Sequence, residues 1–332
     1  MSRFLRTLHS LTLPLLVLSL LLAACAPAAT ATPTLPPPTA TQPPAAPAAT
    51  PTAAPVSVTD SLGRQITLAE PPVRVVSLAP SNTEILFALG MGDLLVGRDD
   101  FSDYPPEALD IPSIGSLYPS VNAEAIVALD PDLVLAAGIT SPDDVRALAD
   151  LGLTVYATRI NATFDEIYTD ILDVGALVGS AADAQTLVAD MRARVDAVTA
   201  TFSGITDRPV VFYEVDATEP SSPWTAGPGT FIDQLLTLAG GQNAAASAPD
   251  QYVQFSLEQL VAENPDVIVL GSATYGGQTP EMVAARAGWG DIAAVQSGAV
   301  YTFDDNLVSR PGPRVVDGLE TLARLIHPNL FP

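Results

Sequence analysis

The chain contains no lysine, so all 14 basic residues are arginine, and they face 37 acids for a formal net charge of −23. A surface this acidic repels nucleic acid and draws in no anionic ligand by long-range field, but it suits docking on a basic partner. Cysteine occurs once, at Cys25, and histidine twice, at His9 and His327. A His/Cys centre for zinc or copper therefore cannot be assembled, which argues against a carrier of bare metal ions. His327, near the end of the last helical pattern, reads as a structural cation favoured by the helix dipole. Nucleotide loops are missing as well: Gly90-Met91-Gly92 with Gly97 lacks GxGxxG spacing, follows a helix pattern and reads as a helix C-cap. No Walker loop or G-x-S-x-G elbow occurs, and no catalytic residue is nominated. Apolar runs stay short of the ~18 residues that a membrane span needs, the longest uncharged one, Leu11 to Ala24, having about 14.

What is present begins with that run. Arg3 and Arg6 precede it, and it ends Leu22-Ala23-Ala24-Cys25, which resembles the bacterial lipobox, where cleavage leaves an N-terminal cysteine carrying lipid. Residues 1–24 are thus expected to be a lipoprotein signal peptide, Cys25 the lipidation site, and the chain extracytoplasmic and lipid-anchored to the cell membrane. Residues 25–55 are Ala, Pro and Thr almost throughout. They are expected to form a disordered, polyproline-like tether of at most ~3 Å per residue, on the order of 90 Å in reach.

The remainder is organised around a repeat. NAEAIVALDPDLVL at 122–135 matches SLEQLVAENPDVIV at 256–269 with a constant offset of 134 residues, pairing Glu124 with Glu258, Pro131 with Pro265 and Asp132 with Asp266. Each copy reads as a capped short helix, a break at Asn/Asp-Pro-Asp, and a buried parallel strand. Two long-period copies indicate a duplicated α/β lobe and not a solenoid. The expected fold is two Rossmann-like lobes, 56–160 and 207–332, joined through 161–206 by helices over 163–178 and 181–202. The longer of these is expected to act as a rigid strut, with a ligand cleft between the lobes. The pattern predicts a hairpin at 56–68, a helix capped by Ser81 or Asn82, Ser180 as a cap, and an inserted loop from Asp216 to Gly229.

In open parallel sheets ligands bind beyond the carboxyl ends of the strands. The residues just past those ends are Phe101, Tyr104, Leu117, Tyr118, Tyr213, Glu214, Trp224, Tyr252, Tyr275 and the 304–310 stretch, which holds most of a small aromatic complement. Aromatic side chains each bury ~150–250 Å², enough in a group of three or four to hold a large flat ligand.

Taken together, RVVSLAPSNTEILFALG (74–90), FSDYPPEA (101–108), the two repeat copies, WTAGPGTFIDQLLTLAGGQN (224–243) and RPGPR (310–314) resemble the substrate-binding proteins of ABC importers for cobalamin, ferric siderophores and haem. The likeness covers about 56–330. It implies a binding protein and no enzyme, a monomer that needs no cofactor, captures a metal chelate and delivers it to an ABC permease with its ATPase. Carried over from corrinoid-binding members, the ligand-facing positions are Phe101, Leu117 or Tyr118, Glu214, Tyr252, Asn306 and Arg310, with Trp224 added from the strand-end argument. Glu124 and Glu258 fall on the acids that meet permease arginines. The expected ligand is a corrinoid first, a ferric siderophore second and haem third. Two other classes stay open at this point: a surface-tethered hydrolase acting in the interlobe cleft, and a ligand sensor without a permease.

Overall fold

The computed structural model describes residues 54–160 and 163–330. The expected signal peptide, Cys25 and the tether up to residue 53 lie outside them.

The N-terminal lobe opens with the antiparallel hairpin β1 (Val56–Thr59) and β2 (Gln65–Leu68), as the Gly63 turn predicts. There follow β3 (Val75–Ser77), α1 (Pro80–Ala88), β4 (Leu95–Arg98), α2 (Ala123–Ala128), β5 (Leu133–Ala136), α3 (Pro142–Asp150) and β6 (Val155–Ala157). The four strands form a parallel sheet in the order β4-β3-β5-β6. Two helices follow, α4 (Phe164–Leu177) and α5 (Ala181–Thr201). The C-terminal lobe contains β7 (Val210–Asp216), β8 (Trp224–Ala226), α6 (Phe231–Leu238), β9 (Gln242–Asn243), β10 (Tyr252–Gln254), α7 (Leu257–Glu263) and β11 (Val267–Leu270). It is completed by α8 (Ser272–Gly276), α9 (Pro280–Ala284), α10 (Ala293–Ser297), β12 (Val300–Thr302), α11 (Asn306–Ser309) and α12 (Val315–Ile326).

The duplication is exact in the backbone. β11 lies between β7 and β12 as β5 lies between β3 and β6, and β9 runs parallel beside β7 as β4 does beside β3. The cap side chains correspond: Asn122 accepts from the Ala125 N–H and Ser256 from the Gln259 N–H. Among the described residues the non-glycine positions at positive φ are Asp130 (45°) and Asn264 (44°), again 134 apart. One residue later comes the proline, and then Asp132 accepts from the Val73 and Arg74 N–H groups while Asp266 accepts from that of Val210. Each turn is thus closed by a left-handed residue that ends the helix and an aspartate that fastens the next strand to the central one.

Both sheets and the helices between them share one continuous apolar core, from Val75 and Leu135 through Ile171 and Met191 to Tyr213 and Leu322. The connection is a helical hairpin more than a free strut. α4 packs along α5 and reaches α1 and β1 of the first lobe, whereas α5 lies against α12 and α6 of the second. The Thr163/Glu166 capping box starts α4, and Gly175 lets α5 approach, since a Cβ there would fall 2.3 Å from that of Ala184.

Four local expectations change. α1 starts at Pro80 with Ala79 as its cap, so Ser81 and Asn82 are buried inside it, and the Asn82 amide donates to the carbonyls of Leu135 and Ala136. Ser180 sits at the cap of α5 but donates to Asp183 and accepts no backbone N–H. The loop after β7 contains β8, which with β10 adds an antiparallel edge to the sheet. His327 packs on the Phe202 ring at 4.6 Å, where burial lowers its pKa, so it is a neutral ring in the core margin and not a dipole cation. Gly90, at φ 70°, closes α1 as a C-cap. No helix among the described residues is long and apolar enough to cross a membrane.

Candidate functional site

The exposed aromatics of the described chain are Phe101, Tyr104, Tyr118, Trp224, Tyr252 and Tyr275. Three come from each lobe: Phe101, Tyr104 and Tyr118 follow β4, Tyr275 follows β11, and Trp224 and Tyr252 lie on the antiparallel edge formed by β8 and β10. So many exposed rings, in a chain poor in aromatics, make these residues a candidate binding surface.

In the N-terminal lobe a buried polar chain holds the loop after β4. The Thr83 hydroxyl donates to Ser77 or shares its proton with Ser102 (2.8 and 2.9 Å), Ser102 donates to Asp99, and Asp99 accepts the Phe101 N–H at 3.0 Å. Burial raises the pKa of Asp99 against these hydrogen bonds. Phe101 and Tyr104 thereby stand out from an ordered base. Of the two neighbouring candidates, Leu117 packs against the apolar layer with Ile114 and Ile126, and Tyr118 is 88% exposed.

In the C-terminal lobe Trp224 and Tyr252 sit on β8 and β10, whose pairing brings Trp224 opposite Gln254 and Tyr252 opposite Ala226. Tyr275 on α8 donates to Asn306 at 2.6 Å, and Asn306 in turn donates to Asp304. Tyr213 donates to Asp305 at 2.7 Å, and burial raises the pKa of both. A hollow of about 340 Å³ opens here, lined by Thr274, Thr302, Phe303 and Asp304.

Glu214 departs from its expected role. It is 0% exposed, accepts Ser272 at 2.6 Å, and is held by both Nη atoms of Arg286 (2.5 and 3.0 Å). Arg286 also donates to Gln278 and lies 4.5 Å over Trp289. A carboxylate so enclosed supports α8 and its Tyr275 from beneath and presents no free oxygen to the cleft.

The lobes meet through the 310–314 loop. Arg314 forms a fork on Glu84, Nε to Oε2 at 2.8 Å and Nη2 to Oε1 at 2.5 Å, and stacks 3.8 Å over the Tyr104 ring. Burial raises the pKa of Glu84, and Arg314 opposes that rise. Arg310, 7% exposed, donates to Asp103 at 2.5 Å, which lowers the pKa of Asp103. These cross-lobe pairs were not foreseen. Their signal was an acid, Glu84, inside the apolar stretch TEILFALG, together with two of the few arginines in one short loop.

Glu124 and Glu258 are both exposed in the first turns of α2 and α7. Each helix leads through a tight turn into its strand and so runs antiparallel to it, which puts both acids toward the carboxyl edge of their sheets.

Compared with known proteins, the chain matches the periplasmic binding protein family over residues 75–307. It belongs to that family. The ABC transporter substrate-binding lipoprotein YvrC of Bacillus subtilis, itself uncharacterized, is 36% identical over 282 residues, 83% of this chain and 87% of the relative. A cobalamin-binding protein of Halobacterium salinarum is 34% identical over 82% of this chain and 74% of the relative. Among solved structures, the vitamin B12-binding protein BtuF of Vibrio cholerae superimposes with a TM-score of 0.66 at 29% identity, covering 79% of this chain and 99% of its own. The heme-binding protein RhuT of Roseiflexus sp. RS-1 gives 0.69 at 28% identity, covering 77% and 98%. The two-lobed α/β architecture and the family read from the motifs both hold for this periplasmic binding protein.

Proposed function

We propose that this periplasmic binding protein captures a metal chelate outside the cytoplasm and passes it unaltered to an ABC permease and its ATPase, tethered to the membrane through lipid on Cys25. A corrinoid such as cobalamin is the first choice of ligand, a ferric siderophore the second and haem the third. The observation that carries this reading is the set of six exposed aromatics contributed equally by two lobes. The names of the Halobacterium and Vibrio relatives support placing a corrinoid first. Phe101, Tyr118, Trp224, Tyr252, Asn306 and Arg310 are the proposed contacts, joined by Tyr104 and Tyr275. Glu214 supports them from below.

The two tryptophans make the test clean, because Trp224 is exposed at the cleft and Trp289 is sealed in the core. Cyanocobalamin added to the protein lacking its leader is expected to quench the emission of Trp224, to saturate, and to give the same Kd by calorimetry. Trp224→Phe is expected to remove most of the saturable quench while Trp289 still emits. A panel of corrinoid, hydroxamate siderophore and haem that yields no saturable heat with any member defeats the proposal.

A further inference from the structure

Arginine is the only cation this chain has apart from its histidines, and around the candidate cleft every guanidinium is already engaged. Arg98 donates to the backbone carbonyls of Ala108 and Asp99, and Arg159 pairs with Asp170 and Asp173. Arg314 is forked on Glu84. Arg310, the arginine among the proposed ligand contacts, also donates to Tyr275, yet Asp103 holds it at 2.5 Å and Glu84 lies 3.9 Å away. Asp99 acts on the same guanidinium through space, and Tyr275 donates to Asn306, which donates to Asp304. Two guanidiniums, Arg310 and Arg314, therefore meet three carboxylates, Glu84, Asp103 and Asp99.

We propose that Asp103 is a specificity-determining residue: by neutralising Arg310 it closes the cleft to polyanionic chelates and leaves it open to neutral or cationic ones. The inference rests on the reading of this cleft as the ligand site and narrows its substrate class. An anionic ligand has to take Arg310 from Asp103, and in doing so it brings its own charge beside Asp103 and Glu84. Like charges set so close, in a partly desolvated cleft, oppose binding strongly. Lowering the pH does not release Arg310, since its guanidinium keeps Asp103 ionised below the ordinary carboxylate range. Selection against the wrong ligand by a repulsive group is a general route to specificity where shape alone discriminates weakly.

The side chain of Asp103 is 53% exposed, so it tolerates substitution. Calorimetry on wild type, Asp103→Asn and Asp103→Asn/Arg310→Gln would use three probes: electroneutral cyanocobalamin, an electroneutral ferric trihydroxamate and a triply anionic ferric tris-catecholate. Wild type is expected to give no measurable heat with the catecholate. Asp103→Asn is expected to shift the ratio of anionic to neutral affinity by roughly tenfold or more toward the anion, with the gain fading as salt rises and vanishing in the double variant. Asp103→Ser, with a thermal melt for each protein, guards against misfolding. The inference is overturned if wild type binds the catecholate as tightly as the neutral probes, or if Asp103→Asn leaves the ratio unmoved. If no probe binds wild type but Asp103→Asn gains the catecholate, the choice of ligand fails and the role of Asp103 stands.

Discussion

Glu84 shows how a single side chain can be costly and indispensable together. Its carboxylate is buried in α1, desolvation pulls its pKa up, and the fork from Arg314, helped by Arg310 at 3.9 Å, favours the ionised form. Arg314→Ala leaves that charge without its partner and is expected to lower stability by ~3–5 kcal/mol at neutral pH, read as a fall in Tm on the order of 10 °C. The pH dependence follows from the direction of the shift. A carboxyl whose folded pKa lies above its unfolded one contributes stability that is fully present below the unfolded value, near ~4.3, and lost as pH rises through the folded value. Without Arg314 that rise is larger, so the gap between variant and wild type is expected to shrink as pH is lowered toward 5. A gap that is constant with pH would show that Arg314 acts through packing on Tyr104 alone. At this scale the sequence revealed exposed groups better than buried ones. Tyr118, Trp224 and Tyr252 are exposed, whereas the partners of Glu84, Arg310 and Glu214 lie 230, 207 and 72 residues away, and no local pattern marks such pairs.

Elements with a strong local code matched their expected bounds. α12 runs from Val315 to Ile326 and β5 from Leu133 to Ala136, as their apolar patterns require. β8 and β10 escaped notice because WTA and YVQ are three-residue strands set by pairing with β7 and each other, with no alternation long enough to read. The duplicated turn gives the sharper element-scale prediction. A β-branched residue at a left-handed position costs about 1–2 kcal/mol, so Asp130→Val and Asn264→Val are both expected to destabilise by at least that amount in urea melts. The two should not be equal. Asn264 Oδ1 also accepts the Ala293 N–H and so fixes the start of α10, a contact the first lobe lacks, and its loss is expected to add ~1 kcal/mol. Equal losses would mean that the side chain of Asn264 adds nothing beyond its backbone conformation.

For the whole molecule, we propose that duplication supplies a docking geometry that neither lobe has alone. Glu124 and Glu258 occupy the second position of equivalent helices, both are exposed, and neither takes part in an ion pair or side-chain hydrogen bond among the described residues. Unpaired acids at helix starts cost the protein nothing, since the dipole favours them, and they remain free for a cationic partner. A permease surface with the same approximate two-fold would engage both at once, fixing register and not merely attracting. Each exposed pair is worth only ~0.2–1 kcal/mol, so Glu124→Ala or Glu258→Ala alone is expected to weaken docking no more than about fivefold. Sites on separate lobes with no shared partner should combine additively, and the double alanine variant is expected to lose most transport. Reversal to arginine at both positions adds repulsion and is expected to abolish it. Saturable Trp224 quenching should persist in every one of these variants, because neither glutamate belongs to the aromatic cleft. Transport that survives the double reversal, measured in cells lacking the native protein, would show that the equivalent acids are relics of duplication and not points of contact.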